Sequence, residues 1–135
     1  MSPTSCHAWI LLSVPDQAGS LDQVIGIADA INHAIPTRRE LQDSLGFLRA
    51  AGLIAKTASG FFLTDSGRSF LAHARNPPND SIFDTWNRLE TELSRIQTVS
   101  FEPESISESE FTEAFDAYKA WFEDEYRKFQ SREET

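Results

Sequence analysis

Thr37-Arg38-Arg39-Glu40-Leu41-Gln42-Asp43-Ser44-Leu45-Gly46-Phe47-Leu48-Arg49-Ala50-Ala51-Gly52-Leu53-Ile54 is the stretch on which the fold turns. Thr37 and Glu40 stand three apart, as in a capping box, where each side chain takes up the other's free backbone donor. Leu41, Leu45 and Leu48 then recur at helical spacing, with Phe47 at their flank, so one helix face is apolar. Gly52 fits the left-handed cap that ends such a helix. Leu53 to Thr57 reads as a strand, Ala58-Ser59-Gly60 as a tight turn and Phe61-Phe62-Leu63 as the returning strand. Thr64 or Asp65 opens a further helix to about Ala74, with Phe70, Leu71 and Ala74 available for packing.

Upstream, Ser5 is placed to cap a helix from about Cys6 to Val14, with Trp9, Leu12 and Ile10 turned inward. Pro15 to Gly19 is a loop by composition. Ser20 and Gln23 form a second capping box, and Leu21, Val24, Ile25, Ala28 and Ile31 make one apolar stripe behind it. Pro36 disfavours a helical residue before it and separates this helix from the next. Downstream, Asn76-Pro77-Pro78-Asn79-Asp80 is a linker. A helix from about Ser81 to Val99 follows, with Ile82, Trp86, Leu89, Leu93 and Ile96 on a short heptad seam. Ser100 to Ser109 is polar, acidic and interrupted by Pro103. Ser107 and Glu110 cap a last helix whose aromatic side carries Phe111, Phe115, Tyr118, Phe122, Tyr126 and Phe129, with Trp121 beside them; Ser131 to Thr135 should fray.

The expected fold is mainly α with a small β-hairpin. The order helix, helix, turn, helix, hairpin, helix is that of a winged helix-turn-helix, here followed by two C-terminal helices. Its wording resembles bacterial transcription regulators of the MarR and PadR type. Leu48-Arg49-Ala50-Ala51-Gly52-Leu53-Ile54 matches the phrase with which a recognition helix runs into the wing. Phe62-Leu63-Thr64-Asp65-Ser66-Gly67-Arg68 matches the second signature, a strand closing on Leu-Thr-x-x-Gly. The resemblance spans about residues 5–76, read as the winged-helix domain, and residues 80–131 are read as a helical dimerisation extension.

The resemblance implies a sequence-specific DNA-binding regulator that acts as a dimer. With Leu41, Leu45 and Leu48 buried, the opposite helix face offers Arg38, Arg39, Gln42 and Arg49. Arginine can bond guanine in bidentate fashion and Gln42 is suited to adenine. Thr37 and the free amides beside it can hold a phosphate, and Lys56 is the basic group near the wing tip. Gly46 permits a close approach of backbones at a helix-propensity cost of about 1 kcal/mol. Asp43 among the readers and a wing with one lysine count against DNA, and the alternative is a winged-helix module that binds protein only. Ile82, Trp86, Leu89, Leu93 and Ile96, with Phe115 and Phe122, are read as the homodimer interface; the other reading folds them back on their own protomer.

Charge is divided unevenly. Residues 1–76 hold six basic and six acidic side chains, so the whole net charge of −9 lies in residues 77–135. Glu102, Glu104, Glu108, Glu110 and Glu113 are read as a solvated surface, or as acid that covers the Arg38/Arg39 face and competes with DNA. One cysteine, Cys6, leaves no intrachain disulfide, and His7, His33 and His73 have no metal-pair spacing. No nucleophile–base pair, phosphate loop or cofactor motif is present, so neither an enzyme nor a cofactor is expected. With no apolar run of about 18 residues, no membrane span is expected, and a cytoplasmic location is the default.

Overall fold

A computed structural model describes residues 1–96 and 99–133. Among these, six helices and one two-stranded antiparallel sheet occur in the order α1 (Pro3–Ser13), α2 (Leu21–Asn32), α3 (Arg38–Ala50), β1 (Ile54–Thr57), β2 (Gly60–Leu63), α4 (Asp65–Ala74), α5 (Ile82–Ser94) and α6 (Glu108–Glu133). The chain is thus mainly helical with a small β-hairpin. No helix among the described residues is long and apolar enough to cross a membrane.

α1 starts earlier than the sequence reading placed it. Ser2, not Ser5, is the cap: its hydroxyl accepts from the Ser5 amide at 3.1 Å. Pro3 then occupies the first turn, where its fixed φ suits a helix and its missing N–H costs nothing. Cys6 to Leu11 are buried without a break, so α1 runs through the centre of the molecule. Burial on every side explains why the inward set expected from the sequence, Trp9, Leu12 and Ile10, does not define a single face. Leu11, not Leu12, is among its fully buried residues.

α2 and α3 open with the two capping boxes read from the sequence. α2 ends at His33, which takes the left-handed conformation at φ 53° and donates its N–H to the Asp29 carbonyl at 2.7 Å. Gly52 has φ 77°, the conformation a left-handed cap demands. The hairpin pairs Ile54 with Leu63 and Thr57 with Gly60. A single bridge from Gly19 to Phe61 ties the loop before α2 to this hairpin.

The α5 seam lies inside the protomer. Trp86, Leu89 and Leu93 are buried against α1, and the Trp86 indole donates to the Ser5 carbonyl at 2.9 Å. Trp9 and Trp86 stack with ring centres 6.2 Å apart. These three side chains, read as dimer contacts, instead close over a central helix that is buried from Cys6 to Leu11. Ile96 is half-buried on the same core. The helix stops at Ser94, short of Val99, and its expected course crosses residues 97 and 98, which lie outside the described residues. Because α5 packs on α1 and α6 on α2, α5, Ile106 and the stretch of α6 up to Tyr118 share one core with residues 5–76.

Candidate nucleic-acid interface

α3 buries Leu41, Leu45 and Leu48 completely and turns Arg38, Gln42, Gly46 and Arg49 the other way. Lys56 on β1 adds an amine beside Arg49. The expected reader face therefore exists as a set of adjacent side chains. It is not open. Residues 101–106 lie across it as an extended strap.

The strap is fitted to α3 at the level of the backbone. The Glu104 amide donates to the Gln42 carbonyl at 2.8 Å. The Ile106 carbonyl accepts from Arg38 Nε at 2.8 Å and from Gln42 Nε2 at 3.2 Å. A Cβ on Gly46 would stand 2.2 Å from the Glu102 carbonyl oxygen and 2.9 Å from Pro103 Cα. The close backbone approach that a mid-helix glycine signals is thus made by the protein's own chain.

Charge follows the same path. Glu104 is only 7% exposed, and Arg49 holds its two carboxylate oxygens at 2.8 and 3.0 Å. Lys56 Nζ stands 3.2 Å from the same carboxylate. Arg38 lies 3.6 Å from Glu108. At its N-terminal end the strap is anchored by Phe101, which meets both His7 and Phe47 edge-on. His7 itself stacks on Phe47 at 4.4 Å and bonds Ser44 at 2.8 Å; burial lowers its pKa and favours the neutral ring. At the other end Ile106 is buried.

The remaining expected contacts sit differently. Arg39 points into solvent at 90% side-chain exposure, 3.8 Å from Asp43. Thr37 is occupied by its capping box, accepting from the Glu40 amide at 3.1 Å while its own amide donates to Glu40 at 2.9 Å. Cys6 is buried beside Ser44 and Glu40, and its thiol is pushed up to about 11 chiefly by desolvation. That is the environment of an inert thiol, not of a nucleophile.

A second feature lies on α2 and α6. Only Ala114 and Tyr118 of α6 are buried, and Tyr118 donates to Asp29 at 2.6 Å. Burial and that carboxylate raise the phenol to about 12. Beyond this point Trp121, Phe122, Tyr126 and Phe129 are all more than half exposed. The first three line an open groove of about 1400 Å³ with Ile27 and Ile31 of α2 and Ile82 of α5. Of the expected dimer residues, Ile82 and Phe122 reach this groove, while Phe115 is half-buried outside it. Comparison with protein-family models, curated proteins and solved structures returns no match.

Proposed function

We propose that the chain is a winged-helix regulator that binds duplex DNA through α3 and the β1–β2 wing and works as a homodimer. The supporting observation is the convergence of Arg38, Gln42, Arg49 and Lys56 on one face, where they already hold a carboxylate and a carbonyl oxygen. An α-helix flanked by a hairpin, with cations and an amide on its free side, has the shape and donors that duplex recognition uses. The element order and the two sequence signatures support the MarR/PadR-type resemblance. Dimerisation draws support from the exposed aromatic run on α6, since isolated apolar groups are ordinary but a contiguous patch marks an interface.

With the strap seated, the face is neutralised, so this reading commits to a form in which residues 101–106 have moved. The closed face favours a second reading: a protein-interaction module that docks through the α2–α6 groove and leaves α3 permanently covered. One experiment separates the two. Fragmented genomic DNA is captured by the purified protein and by its Glu104→Gln form at low and moderate salt, with Arg38→Ala/Arg39→Ala as control. Enrichment of a short inverted repeat that the control loses supports the DNA reading. No enrichment by either folded form sinks it and leaves the interaction module.

A further inference from the structure

We infer that residues 101–107 are a detachable lid over the α3–hairpin face and place an anion and a carbonyl acceptor where the phosphate backbone of a bound duplex would lie. This rests on the DNA reading above and adds how access to that face is controlled. The lid engages Arg38, Gln42, Arg49 and Lys56 among the side chains expected to meet DNA, leaving Arg39 and Thr37 outside it, and presents the chemistry those four would find there. Glu104 gives Arg49 and Lys56 an anion, as a phosphate does, and the Ile106 carbonyl gives Arg38 and Gln42 an acceptor. Arg38 and Arg49 are eleven positions apart on one helix, so the occupied contacts extend over about 16 Å at 1.5 Å per residue. That length spans the width of a major groove, roughly 12 Å.

The lid is built to leave. The three leucines that hold α3 to the body, Leu41, Leu45 and Leu48, lie on its opposite side, and Ile106 is the strap residue that joins their core. The segment has no helix or strand of its own and is secured by two apolar anchors, Phe101 and Ile106. Phe101 is still 37% exposed, and the cations that clamp Glu104 are 44% and 39% exposed. Glu104 itself is 7% exposed, so water and salt reach these pairs from the cation side. A polyanion can compete for them. An occupied fraction of closed protein then lowers apparent affinity in proportion to the open fraction.

The test uses the full chain and a fluorescent duplex of arbitrary sequence, read by anisotropy at roughly 50 mM salt. Gly46→Ala/Glu104→Gln removes the space for the strap and the charge that holds it. The double variant should bind the duplex at least roughly tenfold more tightly than the unmodified protein. Adding Arg49→Ala/Lys56→Ala should abolish the gain. Hydrogen exchange of the Glu104 amide reports whether the lid has left. Equal duplex binding by closed and open forms overturns the lid while leaving the DNA reading intact. An open, folded double variant that binds no duplex overturns both. If it binds a peptide of residues 100–107 instead, the face is a peptide site and the proposal falls. A Glu104 amide that stays protected in the double variant makes the strap a fixed part of the fold, which also overturns it.

Discussion

Gly46→Ala pits two backbone effects against each other. The added methyl sits inside an α-helix, where alanine is favoured over glycine by about 1 kcal/mol. It also projects to 2.2 Å from the Glu102 carbonyl oxygen and 3.0 Å from the Glu104 amide nitrogen. Both obstacles are backbone, so no side-chain rotation relieves them, and the strap must lift. Lifting it exposes Ile106 and most of Phe101, at about 1.5–3 kcal/mol each. It breaks the hydrogen bonds from the Glu104 amide and from Arg38 and Gln42, at about 1 kcal/mol each. The charge-assisted bonds that hold the buried Glu104 carboxylate add about 1.5–3 kcal/mol. Against these stands the freedom regained by some six backbone residues, about 1–2 kcal/mol each. The opposing sums are of similar size, so global stability should shift by no more than about 2 kcal/mol in urea unfolding. The local effect should be large: the Glu104 amide, bonded to Gln42 in the native protein, should exchange at close to a free-peptide rate. Loss of the whole fold would mean that the strap belongs to the core. Unchanged protection of Glu104 would mean that it is not seated on Gly46.

Trp86→Ala should destabilise the protein by about 3–5 kcal/mol, independently of protein concentration, because the indole fills the α1–α5 contact within one protomer. Asp80 titrates at about 2, held down first by its bond to Arg88 and then by Thr85. The stability it supplies is complete above the ordinary carboxylate range and is lost as pH falls toward 2. Asp80→Asn should therefore flatten the acid limb of a stability–pH curve between about pH 4 and 2. Cys6, with its thiol raised to about 11, should resist alkylation at neutral pH in the folded protein and react fully in urea. Phe122→Asp should abolish concentration-dependent self-association in sedimentation, since it places a charge in the apolar α2–α6 groove; an unchanged dimer would move the interface elsewhere.

Local signals carried the fold well where they were periodic or stereochemical. The capping boxes at Ser20 and Thr37, the left-handed cap at Gly52 and the apolar stripe of α3 depend on a few neighbouring residues, and all occur as the sequence indicates. α5 shows the limit of such signals. Its heptad seam is real, yet spacing says only that one face is apolar, not whether the cover is a second copy or α1. The deciding fact is that α1 is buried all round and needs several neighbours, which depends on how many helices reach it. At α1 the sequence signal for the Ser2 cap is Pro3, whose fixed φ suits a first helical turn, and not the nearness of Ser5 to the apolar run.

The candidate site divides along the same line. Arg38, Gln42 and Arg49 could be placed on one face because a helix fixes their relative positions. The strap could not, because an extended segment interrupted by proline has no periodicity and its hydrogen-bond partners lie 48 to 68 residues away along the chain. Two residues nevertheless pointed to it. Gly46 interrupts a strong helix former on the outward face, a cost that makes sense only if something comes very close there. Glu104 is one carboxylate in an acidic run, and composition makes the run look solvated throughout. The structure separates its members: Glu102 and Glu108 are exposed, whereas Glu104 alone of the five is buried, between two cations. A buried carboxylate requires partners, and Arg49 of α3 and Lys56 of the hairpin supply them. Charge balance in residues 1–76 had hidden this, since a neutral sum records how many cations exist and not that they stand together.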